Sequence, residues 1–117
     1  MIGPAPGVRV LIATRPVDFR KGMDGLAAYI QTALGADPFS GVIYVFRARR
    51  ADRVKLVWYD GTGLCLMHKR LEASGFRWPA IHDGVMRLTS AQLAGLLEGA
   101  EWHRIRRPRV SVPRLAG

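Results

Sequence analysis

Five basic side chains fall within nine consecutive residues near the middle of the chain: Arg47, Arg49, Arg50, Arg53 and Lys55. Cations this close together add their fields over a patch short enough to follow a phosphate backbone. Arginine suits this chemistry because its planar guanidinium can contact phosphate through two hydrogen bonds at once. Two further basic pairs, Arg20–Lys21 and Lys69–Arg70, extend the set. The first candidate chemistry is therefore electrostatic binding of nucleic acid.

Catalytic chemistry has few candidate residues. Metal-dependent phosphoryl transfer needs two or three carboxylates that converge on one cation. The carboxylates in loops or turns are Asp18, Asp24, Asp60 and Asp83. Asp60 and Asp83 each precede a glycine in a predicted turn, and turn formation explains both better than catalysis does. The histidines show no metal-ligand spacing, and Cys65 lies in an apolar run where a buried thiol is expected. The sequence therefore predicts a protein that is not an enzyme and that binds no metal or cofactor.

The composition narrows the class of protein. A chain of 117 residues suits one domain, and 18 Lys and Arg against 9 Asp and Glu give a formal net charge of +9. No apolar run approaches the roughly 20 residues that span a membrane, and the start of the chain lacks the pattern of a secretory signal. A single cysteine excludes an intrachain disulfide and fits a reducing compartment. We expect a cytoplasmic protein with no membrane partner.

The basic turn lies between two segments with strand character. Val42–Ala48 and Val54–Tyr59 alternate and are rich in β-branched and aromatic residues, so they predict a β-hairpin. A second turn follows, after which Leu64–Leu71 predicts a third strand. Phe76–Trp78 is interpreted as a short edge strand because a proline follows it. The middle of the chain is therefore predicted to be an antiparallel meander.

Further elements flank the meander. Val8–Thr14 predicts a first strand, and Met23–Leu34 predicts an amphipathic helix that ends where Gly35 supplies a positive φ. The start of this helix has two candidate capping residues, Asp18 and Asp24. Residues 89–92 match a capping box, which predicts a second helix ending near Trp102.

These elements predict one α+β domain over residues 8–102. We expect a mostly antiparallel sheet of four to five strands with two helices packed on one face. Residues 1–7 are expected to form an irregular lead-in. Residues 103–117 contain several arginines and no acidic residue, which predicts a basic, flexible tail.

Alternation along the strands decides which side chains share a face. Phe46 and Trp58 are expected in the core, whereas the position of Tyr59 stays open. Lys69 and Arg70 are neighbours on one strand, so only one of them can join the surface of the hairpin. Two simpler interpretations remain. In one, the hairpin arginines only keep a turn solvated. In the other, the loop cations Arg20 and Lys21 only pair with nearby aspartates.

Three segments carry a family resemblance: DFRKGMDGLA (Asp18–Ala27), DPFSGVIYVFRARRADRVKLVWYDGTGLCLMHKRLEASGFRWP (Asp37–Pro79) and LTSAQLAGLLEGAEW (Leu88–Trp102). Together they resemble the TnpB accessory proteins, encoded by the second reading frame of bacterial insertion sequences of the sixty-six group. The basic residues that fall on the family pattern are Arg20, Lys21, Arg49, Arg50, Lys55, Lys69 and Arg70. Ala51 stands where the family often has glycine, a change that affects the turn and leaves its charge intact.

The resemblance implies a non-catalytic helper in DNA transposition. It also implies two partners from the same element: a second small protein, TnpA, and a DDE-type transposase, TnpC, that carries the strand-transfer chemistry. This implication agrees with the missing acidic triad. Family resemblance thus supplies a process and leaves the molecular mechanism open.

We hypothesise that the protein contacts the DNA of transposon ends through its basic residues. The predicted contacts are Arg20, Lys21, Arg47, Arg49, Arg50, Arg53, Lys55, Lys69 and Arg70, with help from the C-terminal arginines. The alternatives are an adaptor that binds the transposase without a direct DNA role, and an RNA-binding module that stacks bases on Tyr44 or Tyr59. The DNA hypothesis requires these cations to form one continuous, outward-facing surface that the protein's own acids do not neutralise.

Overall fold

The computed structural model describes residues 8–80 and 84–104. Its elements in chain order are β1 (Val10–Ala13), α1 (Met23–Thr32), β2 (Ile43–Arg47), β3 (Arg53–Tyr59), β4 (Leu64–Arg70), β5 (Val85–Leu88), α2 (Ser90–Leu97) and a 3-10 turn at Trp102–Arg104. The predicted lead-in, Asp83 and the arginines from Arg106 onward lie outside the described residues. No helix within the described ranges is long and apolar enough to cross a membrane.

The five strands form one mixed sheet in the order β4-β3-β2-β1-β5. The central three strands make the predicted antiparallel meander, with Tyr44 opposite Val57 and Arg53 opposite Arg70. β1 pairs with β2 in parallel, and α1 lies in the connection between them, because a parallel pair needs a crossover. The α+β class and the mostly antiparallel five-stranded sheet are confirmed.

The fifth strand is not the segment predicted from the sequence. Val85–Leu88 pairs antiparallel with β1, with Leu88 opposite Val10, and so forms an edge of the sheet. Phe76–Trp78 forms no strand; the Phe76 amide instead donates to the Ala51 carbonyl at 2.8 Å. The local sequence pattern did not predict this edge strand because β5 pairs with a strand more than 70 residues away in the chain.

The two helices cover opposite faces of the sheet, where one face was expected. On α1, Leu26 and Ile30 pack in a core with Tyr44 of β2 and other side chains of that face. On α2, Leu93 and Leu96 pack in a second core that contains Ile43 of β2. Successive side chains of a strand point to opposite faces, so each helix lies on its own side. The physical reason is that β2 is buried on both faces, which its apolar residues permit.

The helix ends follow the predicted signals in part. Gly35 has φ +60, as expected after α1, but the N-cap is Gly22, and neither candidate aspartate side chain caps the helix. α2 begins with the predicted capping box, in which the Thr89 hydroxyl accepts from the Gln92 amide at 3.0 Å and the Gln92 side chain accepts from the Thr89 amide at 2.9 Å. α2 ends at Leu97, before the buried Trp102.

Candidate nucleic-acid interface

The tip of the basic hairpin is held in place by backbone contacts. The Ala51 carbonyl accepts from the Phe76 amide and, at 3.1 Å, from the indole nitrogen of Trp78. The Asp52 carbonyl accepts from the Leu71 amide at 2.9 Å. Because these bonds tie the turn to the segment that follows β4, the side chains of the turn project from a fixed backbone. A turn whose backbone is already fixed loses less conformational entropy when it binds a ligand.

Five arginines line two adjoining clefts on the α1 side of the sheet, at the hairpin end. The first cleft, of about 500 Å³, lies between the β1–α1 loop and the hairpin turn. The second, of about 300 Å³, lies beside β4. Arg53 lines both clefts and so joins them. We call these five residues the arginine cluster: Arg20, Arg49, Arg50, Arg53 and Arg70.

Carboxylates form ion pairs with the arginine cluster, but these pairs are weak enough for a phosphate to replace them. Arg20 pairs with Asp18 at 2.8 Å, and Arg70 pairs with Glu72 at 3.2 Å. Asp52 lies between two guanidinium groups of the cluster, at the longer distances of 3.6 and 3.8 Å. Exposed ion pairs of this kind contribute only about 0–1 kcal/mol, so a phosphate can replace them at small cost.

The individual members of the arginine cluster differ in how available they are. The Arg20 side chain is 92% exposed, and its hydrogen bond holds the pKa of the Asp18 carboxyl at about 2, so this pair is fully ionised at neutral pH. The Arg50 side chain is 71% exposed. Arg49 is exposed, and its side chain makes no ion pair or hydrogen bond with the described part of the chain. The turn arginines Arg49 and Arg50 are therefore the most accessible cations for an external anion.

Two of the predicted contacts, Arg47 and Lys69, point to the α2 side. The Arg47 guanidinium lies over the Trp78 ring at 5.3 Å and donates to the Pro79 carbonyl at 3.2 Å, and burial lowers its pKa. The Lys69 ammonium donates to the Leu97 carbonyl at 2.7 Å, where α2 ends and the helix dipole favours a cation. Lys69 and Arg70 thus occupy opposite faces as predicted, and the one that joins the hairpin surface is Arg70.

Lys55 is buried, with only 7% of its surface exposed. Its ammonium donates to the Phe19 carbonyl at 2.8 Å and to the Lys21 carbonyl at 3.0 Å, and it lies 5.1 Å from the centre of the Phe19 ring. These bonds fasten the β1–α1 loop to the sheet. Lys21 itself is exposed next to Arg20, but it lines neither cleft.

Replacing Lys55 with methionine should destabilise the fold by about 2 kcal/mol, because two loop carbonyls lose their donor while the apolar stem is retained. Urea unfolding followed by fluorescence measures this change. The matched control is Lys21→Met, which removes the same charge from an exposed position and should change stability by less than about 0.5 kcal/mol. Equal unfolding midpoints for the two variants would contradict the role assigned to Lys55.

The predicted continuous cationic surface is therefore smaller than the sequence suggested. Five of the nine residues line the clefts, Lys21 lies nearby, and three have internal contacts: Arg47, Lys55 and Lys69. We leave these three out of the candidate interface. The sequence reasoning also missed His68, which lines the second cleft. Its position two residues before Arg70 on β4 was the available signal, since residues at this spacing share a face.

The pKa of His68 depends on the positive charge around the second cleft. Partial burial lowers its pKa, and the positive charges of Lys55, Arg53 and Arg70 lower it further. Its ring also forms a T-shaped contact with the ring of Phe19, with the two ring centres 5.7 Å apart. A phosphate in this cleft would offset the surrounding positive charge.

We expect the His68 pKa to lie below its ordinary value of about 6.5 in the free protein and to rise when DNA binds. By linkage, DNA should then bind more tightly as the pH falls through this range. An NMR titration of the imidazole signals with and without DNA measures both values. An unchanged pKa on saturation with DNA would show that no phosphate occupies the second cleft.

The aromatic side chains on the strands mostly belong to the two cores. Phe46 is fully buried, as predicted, and Trp58 packs against the α2-side core. Tyr44 is only 2% exposed, and its hydroxyl donates to the Asp37 carbonyl at 3.0 Å. Tyr59 packs against Phe39, with ring centres 5.6 Å apart, at the end of β3 away from the hairpin tip. An open aromatic platform beside the arginine cluster is therefore not formed by these residues.

The structure thus defines a small α+β protein with an arginine-lined face. Within the described residues, no group of three or more His, Cys, Asp or Glu is placed to hold a metal ion. The model of the family described as IS66 Orf2 like protein matches residues 8–107, and the chain belongs to this family. The resemblance drawn from the sequence motifs is confirmed, and with it an accessory role in insertion-sequence transposition.

Two relatives come from Sinorhizobium fredii (strain NBRC 101917 / NGR234). The chain is 44% identical over 113 residues to "Uncharacterized protein y4jC", covering 97% of each chain. It is 40% identical over 102 residues to "Uncharacterized protein y4hO", covering 87% of this chain and 89% of the relative. No solved structure matches the chain.

Proposed function

We propose that this accessory protein binds the DNA of transposon ends through the arginine cluster and supports a separate DDE transposase, TnpC, together with TnpA. The protein itself is not catalytic in this scheme, and it acts in the cytoplasm on the DNA of the element. The observation that carries the proposal is the convergence of arginines from a loop, a turn and two strands on the same two clefts.

The charge balance of the interface supports DNA as the ligand. The arginine cluster has five cations and contacts three carboxylates, Asp18, Asp52 and Glu72, so positive charge remains after every ion pair is counted. The pairs are exposed or long, and phosphate oxygens offer arginine the same bidentate geometry as a carboxylate. Binding of this type releases counterions from DNA and therefore weakens as salt is added.

The experiment is a fluorescence anisotropy titration of labelled duplex DNA from the element end at several salt concentrations, with a shuffled duplex as control. We expect binding to both duplexes that weakens linearly in log affinity against log salt. Tighter binding to the element end than to the shuffled duplex would add sequence readout to the phosphate contacts. Absence of binding at low salt would contradict the proposal.

A second candidate function is an adaptor that binds an acidic surface of the transposase. The observation in its favour is that Asp18 and Glu72 already contact the arginine cluster, which shows that the cluster accepts carboxylates. Pull-down of purified transposase with nuclease present separates the two functions. A complex that survives nuclease and competes with added DNA would favour the adaptor.

The RNA-binding alternative has less support. It requires bases to stack on Tyr44 or Tyr59, but Tyr44 is buried and Tyr59 packs against Phe39. Competition between duplex DNA and single-stranded RNA in the same titration tests it. A clear preference for RNA that is lost when Tyr59 is replaced with alanine would restore this alternative.

A further inference from the structure

The first cleft is lined by apolar residues as well as arginines, and a surface that binds only phosphate does not need an apolar lining. Its apolar lining comes from Pro16, Val17 and Phe19 in the β1–α1 loop and from Ala48, which follows β2. Four members of the arginine cluster line the same cleft: Arg20, Arg49, Arg50 and Arg53. With a volume of about 500 Å³, the cleft is within the range of about 300–1,000 Å³ that is typical of sites for small ligands.

A base-paired duplex does not match this shape. Its phosphates lie on a convex outer surface, and its bases are stacked inside, so a duplex can touch the arginines at the rim without entering the cleft. An unpaired nucleotide has both an anionic phosphate and a base with apolar faces. These two parts correspond to the arginine rim and to the apolar walls.

The position of Arg53 favours it as the phosphate contact. Its side chain lines the first cleft and pairs with Asp52 only at the long distance of 3.8 Å. The same side chain lines the second cleft, where Arg70 and His68 are found. A strand whose terminal base enters the first cleft can therefore place its next phosphate at the second.

The loop that forms the apolar wall is held in position. Lys55 donates to the carbonyls of Phe19 and Lys21, and the Val17 amide donates to the Arg47 carbonyl at 2.8 Å. The wall is thus fastened to β2 and β3, so the cleft exists before a ligand arrives. A preformed cleft lowers the cost of ordering the ligand.

From this geometry we infer that the first cleft holds one unpaired nucleotide, with its base against the loop wall and its phosphate on Arg53, at a frayed or single-stranded DNA end. The inference rests on the proposed DNA-binding function and specifies the form of DNA that the site prefers. It predicts selectivity for DNA ends that expose an unpaired base.

The test varies the DNA first, so that protein folding does not affect the outcome. Anisotropy competition compares a blunt duplex, the same duplex with a short single-stranded overhang, and an overhang whose nucleotides are abasic. We expect the overhang to bind about 10-fold more tightly than the blunt end and the abasic overhang to lose most of that gain, since a base contributes through its faces. Backbone charge is the same in the two overhangs.

A protein variant then locates the effect. Phe19→Ala should bring the ratio of overhang affinity to blunt-duplex affinity close to 1. The matched control is Phe39→Ala. Phe39 is an aromatic residue that is 54% exposed and lines neither cleft, so this variant should keep the full preference for the overhang. A circular dichroism spectrum checks that both variants fold.

Each failure has a distinct meaning. Equal affinity for blunt duplex and overhang would overturn the nucleotide site and leave the proposed DNA binding intact. A full gain with the abasic overhang would show that the cleft binds phosphate alone and would also overturn the inference. Absence of binding to every DNA would overturn both this inference and the proposed function.

Discussion

Replacing Arg49 and Arg50 together with alanine will weaken DNA binding by about 10- to 100-fold at low salt. It will also reduce the slope of log affinity against log salt by about 2, because each arginine that contacts a phosphate releases close to one counterion. These two residues were chosen because both are exposed at the cleft rim and neither has a close ion pair. Anisotropy titrations at four or more salt concentrations measure both quantities.

The control for this variant removes two arginines from positions outside the two clefts. Arg9 and Arg87 are exposed and lie outside both clefts, so Arg9→Ala/Arg87→Ala lowers the net charge equally. We expect it to keep an affinity close to that of the parent. If both double variants lose the same affinity and the same salt slope, binding depends on net charge, and the arginine cluster is not the site.

Replacing Trp102 with alanine will destabilise the protein by about 3–5 kcal/mol. This side chain is 1% exposed and is among the largest that are fully buried within the described residues. It packs in the α2-side core, and its indole nitrogen donates to the Arg77 carbonyl. The alanine variant loses this packing, leaves a cavity and orphans the carbonyl. Chemical unfolding followed by circular dichroism measures the loss.

Two further variants separate these contributions. Trp102→Phe retains most of the packing and loses the hydrogen bond, so we expect roughly half of the loss or less. Phe39→Ala truncates a large side chain that is 54% exposed and should cost under about 1 kcal/mol. A Trp102→Ala variant as stable as Phe39→Ala would show that the segment after α2 is not part of the core.

Local signals in the sequence predicted most of the fold. The hairpin and the strand after it were predicted because each pairs with its neighbour along the chain, and the capping box at Thr89 set the start of α2. The pairing of β5 with β1 was missed because it is non-local and involves four residues on each strand. The opposite placement of the helices was missed because the run Val42–Phe46 was interpreted as alternating, although all of it is buried.

The sequence predicted part of the candidate site and missed contacts between residues distant in the chain. The density of basic residues identified Arg49 and Arg50, which are exposed because they lie in a surface turn. The same argument treated Lys55 as a surface cation, whereas its ammonium reaches carbonyls 34 and 36 residues earlier in the chain. Lys69 likewise caps a helix that begins 21 residues later. Long flexible side chains find such partners only in three dimensions, so the number of cations in a sequence overestimates the number that face a ligand.

The most direct test of the account is an NMR titration of the isotope-labelled protein with duplex DNA that carries a short overhang, read as amide shift changes along the chain. We expect the largest changes at residues 16–20, at the hairpin turn 48–53 and at His68–Arg70. The backbone around Trp78 and the end of α2 at Leu97 should change little, because they lie on the other face. Changes centred on the α2 side, or none at saturating DNA, would contradict DNA binding by the arginine cluster.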